Sequence, residues 1–290
     1  VYPQGASVSV PQMTRKGGGL RSTIKGWSPG AAGRHRAWLQ SIDPAALPSA
    51  HAYAFTLTLK ETPDSSADWH TMRTTWEKRL RRMGAIAGHW VTEWQRRGTP
   101  HLHGSVWFSD ELTPLQRIRM IQAWVEITGQ RGLTATVSAQ MVKDVESMGG
   151  WSRYCSKHSA RSTAHAQRQG FPEGWETSGR VWGHWGGPWV TRGASYGLDW
   201  DAWHTARRLM RAWALADARS EWDRKRRKTR MMAVRRSASR VSDPKLSRVL
   251  PVREWIPEAV TTRLLDWLVD QGHTIDLFDS PPGGIPPTPA

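Results

Sequence analysis

The stretch from residue 88 to residue 108 reads GHWVTEWQRRGTPHLHGSVWF, and it decides the fold of the chain. Its alternation of apolar and polar residues predicts two β-strands, Gly88 to Arg96 and His101 to Phe108. The residues Arg97-Gly98-Thr99-Pro100 form the turn between them. Because residues two apart on a strand share a face, His101 and His103 point to the same side of the predicted sheet.

A divalent-metal site is predicted on that face. A hairpin that pairs Gln95 with His101 would place Glu93 opposite His103, and such cross-strand neighbours lie about 5 Å apart. Two imidazoles and one carboxylate can hold a metal ion and still leave positions for water or substrate, as catalytic sites do. Gln95 shares the face and is the alternative third ligand. A His-x-His pair alone is often only a polar face, so the prediction depends on Glu93.

The composition indicates a nucleic-acid partner. The 290 residues include 41 Lys and Arg against 25 Asp and Glu, which gives a formal charge of +16. A chain this basic usually meets a polyanion, and an anionic membrane surface is the alternative to nucleic acid. The sequence has no apolar run of about 18 residues and no signal-peptide pattern, so we expect no membrane association. The single Cys155 excludes an internal disulfide and fits a cytoplasmic protein.

The flanking segments predict an α+β fold. His51 to Glu61 alternates as a strand with one buried face, and Ala67 to Met83 has the apolar spacing of a helix. A helix from Thr113 to Thr128 and a strand from Leu133 to Val142 follow the hairpin. The resulting β-α-β-β-α-β order is the split βαβ arrangement, with a central antiparallel sheet and helices on one face.

The chain divides into four predicted regions. Residues 1–48 form a mostly irregular arm with a short helix at Gly33 to Ser41, and residues 49–198 form the catalytic domain. Residues 199–240 are a C-terminal helical extension, with one long helix from Asp199 to Arg236. Residues 241–290 contain a linker, a short amphipathic helix at Pro257 to Gln271 and a disordered tail.

The helical extension carries a dense basic run. Its residues are Arg224, Lys225, Arg226, Arg227 and Lys228. Five consecutive cations repel one another unless a counter-charge is present, and nucleic-acid phosphates would supply it. A solvated helix face is the alternative interpretation of this run.

A candidate nucleophile lies in the helix predicted from Asp144 to Ala160. Tyr154 and Lys157 are three residues apart and therefore neighbours on one helical face. Tyrosine is a poor nucleophile at neutral pH, but a metal ion that polarises a phosphodiester makes its attack feasible. Lys157 could hold the phosphate, and the products would be a phosphotyrosine and a free 3′ hydroxyl. Alternatively, Tyr154 anchors its helix to the core and Lys157 is merely solvated.

Three segments together resemble the ordered motifs of a known superfamily. They are FTLTL at 55–59, GTPHLHG at 98–104 and Tyr154-Cys155-Ser156-Lys157, and they resemble the motifs of HUH endonucleases, specifically single-tyrosine rolling-circle replication initiator (Rep) proteins. Glu93 resembles the third metal-ligand position of the family. The resemblance covers roughly residues 50–190, and the GRVWG stretch at 179–183 resembles a feature that follows the tyrosine in many of these proteins.

The resemblance implies an RRM-like palm that binds Mg²⁺ or Mn²⁺ and nicks single-stranded origin DNA, which may form a hairpin. Tyr154 would become linked to the 5′ phosphate, while the free 3′ hydroxyl would serve rolling-circle replication of a plasmid or phage-like element. His158 stands where some initiators have a second tyrosine. The sequence has no Gly-x₄-Gly-Lys-Ser/Thr motif, so a host helicase would unwind the DNA and a host polymerase would extend it.

Two other functions remain open at this stage. A relaxase or a transposase would use the same chemistry in a different biological role. A non-catalytic RRM-like nucleic-acid-binding protein would instead carry stacking aromatic residues on the sheet face and would tolerate removal of metal.

Overall fold

A computed structural model describes residues 1–8, 23–43, 51–145, 166–187, 190–191, 193–239, 252–254 and 256–278 of the chain. The chain forms two compact units. The palm unit comprises Gly19–Leu39 and Pro44–Val190. The second unit comprises Val1–Gly18, Gln40–Asp43 and Thr191–Ala290.

The strands, in chain order, are β1 Ala6–Val8, β2 His51–Leu57, β3 Ala85–Trp94, β4 Pro100–Phe108, β5 Met141–Asp144, β6 Trp182–Trp185, β7 Ser195–Leu198, β8 Val252–Glu254 and β9 Ile275–Phe278. The helices are α1 Pro29–Gln40, α2 Ser66–Arg82, α3 Pro114–Gly129, α4 Trp200–Arg219, α5 Arg224–Ser239 and α6 Glu258–Asp270.

The palm is built on a five-stranded antiparallel sheet in the order β5-β2-β4-β3-β6. The β2-α2-β3-β4-α3-β5 order confirms the predicted α+β split βαβ arrangement. Strand β4, which carries both candidate histidines, is paired on both sides, with β2 and with β3.

One face of the sheet packs on α2 and α3. Alternate residues of β2, namely Tyr53, Phe55 and Leu57, are buried in this core, as the alternation of the segment predicts. Trp69, Trp76 and Trp124 from the two helices are also fully buried there, with edge-to-face ring contacts. Much of the high tryptophan content of the chain therefore serves the palm core.

Capping residues set where both helices begin. Ser65 accepts a hydrogen bond from the Asp68 backbone N–H at the start of α2. Thr113 and Gln116 form a reciprocal capping box at the start of α3, ahead of Pro114. The predicted boundaries of these two helices agree with the structure to within one residue.

The last strand of the predicted β-α-β-β-α-β order is displaced. The expectation of a strand from Leu133 to Val142 is wrong, because β5 begins only at Met141 and residues 137–139 form a 3₁₀ turn. The side chain of Gln140 explains this, since its Oε1 accepts the backbone N–H of Thr58 at 2.6 Å. A side-chain amide thus takes the place of a strand-to-strand backbone bond.

Strand β6 extends the sheet at the other edge and was not predicted. It contains the end of the GRVWG stretch, whose two glycines each have a steric reason. A Cβ on Gly179, which has φ +60°, would lie 2.3 Å from His70 Nε2, and a Cβ on Gly183 would lie 2.7 Å from the Trp90 ring. The stretch is therefore constrained by packing against α2 and β3.

The second unit contains α4, α5 and α6 with the short strand pairs β1–β8 and β7–β9. The expectation of one long helix from Asp199 to Arg236 is wrong, because α4 ends at Arg219 and α5 begins at Arg224. Asp223 starts the new helix by accepting the backbone N–H of Arg226 at 2.7 Å. The short amphipathic helix predicted at residues 257–271 is confirmed as α6.

The N-terminal region predicted as mostly irregular contains β1 and α1, and α1 begins at Pro29, four residues before the predicted helix. The predicted linker and tail lie largely outside the described residues. Among the described residues, no helix combines the length and the apolar character needed to cross a membrane.

Candidate metal centre

The β3–β4 hairpin aligns the three predicted metal ligands, with a register that differs from the prediction. Glu93 pairs with His101 and Val91 pairs with His103, so the expected pairing of Gln95 with His101 is wrong by two residues. The turn is the reason, because Gln95 N–H donates to Thr99 O at 2.9 Å and Gly98 has φ +86°. A shift by two residues keeps every side chain on its predicted face.

His101, His103 and Glu93 bring their ligand atoms together on the sheet face opposite α2 and α3. One atom from each residue lies within 4.8 Å of the other two. The two Nε2 atoms are 3.2 Å apart, and Glu93 Oε2 is 3.8 Å from His103 Nε2. Glu93 has no exposed side-chain surface, whereas the His103 side chain keeps 12%. The cluster is therefore buried at its acid and open at its second histidine.

These donors fit a divalent cation. Ligand atoms about 2.1 Å from one ion and separated by 90–109° are about 3.0–3.4 Å apart, which matches the spacing of the two imidazole nitrogens. The carboxylate is slightly farther away, within reach of a small side-chain rotation. A set of two imidazoles and one carboxylate suits Mn²⁺ and Mg²⁺ with bound water completing the shell.

Neighbouring side chains orient two of the ligands. Thr56 Oγ1 lies 2.9 Å from His103 Nδ1, so a proton on Nδ1 leaves the Nε2 lone pair directed at the cluster. The short turn at residues 166–168 contributes two more contacts. Gln167 Nε2 lies 3.4 Å from His101 Nε2, and Arg168 Nε donates to Glu93 Oε1 at 3.2 Å.

A second histidine group lies farther along the same sheet face. His35 Nε2 on α1 lies 2.8 Å from His89 Nε2 on β3, so one imidazole donates and the other accepts. The Trp38 ring stacks on both His89 and His184, with centroid distances of 4.8 and 4.6 Å. Burial lowers the pKa of His184. These contacts fix α1 against the sheet beside the candidate metal centre.

The other predicted site residues have different positions. Tyr154 and Lys157 lie outside the described residues. Gln95, the alternative third ligand, directs its side-chain nitrogen at Leu59 O, 3.5 Å away, whereas Glu93 lies with the histidines. The run Arg224–Lys228 forms the first turns of α5, where four of its residues are exposed and Arg227 is half-buried.

Sequence reasoning missed the residues that orient the ligands. Thr56 could have been found, because it shares the parity of Ala54 and therefore the face of β2 opposite the buried core. Arg168 and Gln167 carry no local sequence signal, since only the folded chain brings their turn to the metal ligands.

The fold and the ligand cluster define a class of protein. An antiparallel RRM-like sheet with a His-x-His pair and an acid on one face is the palm expected of a rolling-circle replication initiator. The family model for replication-associated proteins of the ORF2 type matches residues 52–159, which include β2 to β5 and all three ligands.

Full-length relatives extend the match beyond the palm. The chain is 38% identical over 259 residues to a replication-associated protein of Pseudomonas phage Pf3, covering 88% of this chain and 90% of the relative. It is also 38% identical over 265 residues to "Putative replication protein XF_b0001" of Xylella fastidiosa strain 9a5c, again covering 88% and 90%. No solved structure matches the chain. The chain belongs to the ORF2-type family of replication-associated proteins, which confirms the resemblance to replication initiators.

Proposed function

We propose that this protein starts rolling-circle replication of a plasmid or phage-like element by nicking single-stranded origin DNA. The observation that carries the proposal is the convergence of His101, His103 and Glu93 on one point of the open sheet face. The relatives named as replication proteins support the biological role, because they align over both units of the chain.

In the proposed reaction, the phenol oxygen of Tyr154 attacks a backbone phosphorus. The bond from phosphorus to the 3′ oxygen breaks, and the 3′ oxygen takes up a proton while the phenol loses one. The energy of the broken ester is retained in the phosphotyrosine, so the strand can later be rejoined. A host polymerase would extend the free 3′ hydroxyl, and a host helicase would separate the strands.

The chain's own residues prepare this step. His101, His103 and Glu93 would hold a Mg²⁺ or Mn²⁺ ion, which when bound polarises the phosphate and offsets its developing charge. Thr56 keeps His103 in the tautomer that presents Nε2. Lys157, one helical turn from Tyr154 in the predicted helix, would contact the phosphate. The exposed cations of Arg224–Lys228 would bind the DNA backbone without reading its sequence.

The test is formation of a covalent protein–DNA species. A single-stranded origin oligonucleotide labelled at its 3′ end is incubated with the protein and Mn²⁺ and then resolved under denaturing conditions. We expect a slow-migrating labelled species that requires Mn²⁺ and disappears in Tyr154→Phe. Tyr196→Phe, which alters a partly exposed tyrosine of the second unit, is the matched control and should leave the adduct unchanged.

The same assay separates the other functions. An adduct that persists in Tyr154→Phe would contradict the assigned nucleophile. Tight DNA binding with no adduct under any metal condition would instead identify a non-catalytic binding protein. A relaxase or transposase would form the adduct on a transfer-origin or element-end oligonucleotide and not on a replication origin.

A further inference from the structure

Arg168 is buried against the candidate metal centre, and its contacts call for an explanation. Neither its side chain nor that of Glu93 has exposed surface, and Arg168 Nε lies 3.2 Å from Glu93 Oε1. The Arg168 guanidinium also stacks on Trp27, with its Cζ 3.9 Å from the ring centroid. Burying a guanidinium is costly unless its charge is compensated, so this arginine has a specific partner in Glu93.

The two oxygens of the Glu93 carboxylate have different neighbours. Oε1 accepts from Arg168, whereas Oε2 faces His103 Nε2 at 3.8 Å. The ion pair therefore leaves the oxygen on the histidine side available to a cation. Trp27 is itself held, because its Nε1–H donates to Thr92 O at 2.9 Å in the strand that carries Glu93.

We propose that Arg168 is a positioning residue for the metal ligand Glu93. It balances the buried carboxylate charge and fixes the rotation that presents Oε2. This inference deepens the proposed function, since it assumes that the cluster holds a divalent cation. Loss of an orienting partner of this kind typically weakens metal affinity by about 10- to 100-fold.

The test measures Mn²⁺ binding by electron paramagnetic resonance in the full chain without DNA. Arg168→Gln removes the charge, and Arg168→Lys keeps the charge but loses the planar stacking group. We expect about 10- to 100-fold weaker Mn²⁺ binding in Arg168→Gln and a smaller loss in Arg168→Lys. Arg131→Gln, which breaks an exposed ion pair with Asp68, should bind Mn²⁺ like the wild type.

Excess metal supplies the second readout. A positioning defect raises the Mn²⁺ concentration needed for adduct formation but leaves the rate at saturating Mn²⁺ near that of the wild type. Wild-type Mn²⁺ affinity in folded Arg168→Gln, or in Arg168→Lys if the first variant does not fold, overturns the role of Arg168. If the wild type binds no Mn²⁺, or Glu93→Gln binds it equally well, the metal centre itself is refuted.

A separate observation concerns the turn between α4 and α5 in the second unit. Trp222 lies in this turn with 84% of its surface exposed, more than any other large apolar residue of the described chain. The exposed cations Arg219, Arg224, Lys225 and Arg226 surround it in sequence. We name these five residues the Trp222 tip.

The acids beside the Trp222 tip are already engaged. Glu221 and Asp217 both pair with Arg230 of α5, at 3.4 and 2.5 Å. The Asp223 carboxylate accepts the Arg226 backbone N–H. These contacts tie the two helices together around the turn and leave the cations of the tip to act on a ligand.

We infer that the Trp222 tip binds single-stranded DNA, with the Trp222 ring stacked on an unpaired base and the cations on the flanking phosphates. Planar aromatic residues next to cations are the chemistry of sequence-tolerant single-strand binding. Removing one stacked aromatic residue of this kind lowers affinity by about 5- to 150-fold.

The binding test uses the Tyr154→Phe chain without divalent metal, so that it is independent of nicking. Binding of an oligothymidylate is compared with binding of an abasic oligonucleotide of equal length at several salt concentrations. We expect Trp222→Ala to weaken oligothymidylate binding by about 5- to 150-fold at every salt concentration, and Trp222→Phe to retain most of the affinity. Lys225→Gln should instead reduce the salt dependence, by about 0.7 in the log–log slope.

Trp200→Ala is the matched control, because Trp200 is also exposed, at 59%, but stacks on Trp203 beside two acids. Its DNA affinity should equal that of the wild type. Equal binding of abasic and base-containing DNA by the wild type, or an unchanged base preference in Trp222→Ala, overturns the stacking role. A larger effect of Trp222→Ala on matched RNA than on DNA overturns the assignment to DNA.

Discussion

His70 makes the stability of the palm unit depend on pH, and the effect can be worked out from its surroundings. This histidine of α2 is largely buried, and its Nε2 lies 3.1 Å from Ser178 O. Burial, with further contributions from the charges of Arg73 and Arg180, lowers its pKa from 6.5 to about 4. The neutral imidazole therefore donates to Ser178 O throughout the physiological range.

The direction of the effect follows from proton binding. Between pH 6.5 and about 4 the unfolded chain binds a proton on His70 that the folded chain does not bind, so the folded state loses stability as the pH falls. The full difference in pKa corresponds to about 3 kcal/mol. About 2 kcal/mol of this is lost between pH 7.5 and pH 5.0, and the loss is complete below about pH 4.

The assay is urea unfolding at pH 7.5 and pH 5.0, followed by circular dichroism. His70→Gln keeps a side-chain N–H that can reach Ser178 O but cannot titrate. Its loss of stability over this interval should be about 2 kcal/mol smaller than that of the wild type. His51→Gln, which alters an exposed histidine, should show the wild-type loss. Equal pH dependence in the wild type and in His70→Gln would refute the reasoning.

Three further changes test the site and the core that supports it. Thr56→Val, which removes the hydroxyl 2.9 Å from His103 Nδ1, should weaken Mn²⁺ binding by about 10- to 100-fold, while Thr56→Ser should bind like the wild type; equal affinities would show that the hydroxyl does not orient the ligand. Gly104→Ala should destabilise the palm by about 1–3 kcal/mol or more in urea unfolding, because its Cβ would lie 2.0 Å from His89 O, whereas Gly129→Ala has open space and should be neutral or stabilising. Glu77→Ala should destabilise by about 3 kcal/mol, because it leaves the largely buried Arg73 unpaired, whereas Glu126→Ala breaks a more exposed pair with Arg79 and should change stability by less than about 1 kcal/mol. A smaller effect of Glu77→Ala than of Glu126→Ala would contradict the assigned burial of that pair.

The sequence predicts the palm well where periodicity and capping act locally. Strand β2 and helices α2 and α3 follow from the alternation of Tyr53, Phe55 and Leu57 and from the caps at Ser65 and Thr113. The side-chain face of the metal ligands was also predictable, because an error of two residues in register leaves every residue on its face. The exact pairing depended on the turn geometry around Gly98, which the strand pattern alone does not specify.

The errors arise where side chains or distant segments replace local backbone preferences. The Gln140 side chain takes a backbone partner from the expected strand, and Asp223 starts a new helix inside an apparently continuous helical pattern. Arg168 reaches Glu93 from a turn 75 residues away in sequence, which no local pattern reveals. Tyr154 and Lys157 stay predictions, because they lie outside the described residues.

The position of β4 in the middle of the sheet limits how the catalytic cycle can work. Its two histidines belong to a strand anchored by backbone bonds on both flanks, so they cannot shift far without breaking the sheet. An enzyme that cuts and later reseals a strand must nevertheless pass through distinct states. In this protein, we expect the cation platform to stay still throughout, while the tyrosine-bearing segment and the DNA move over it.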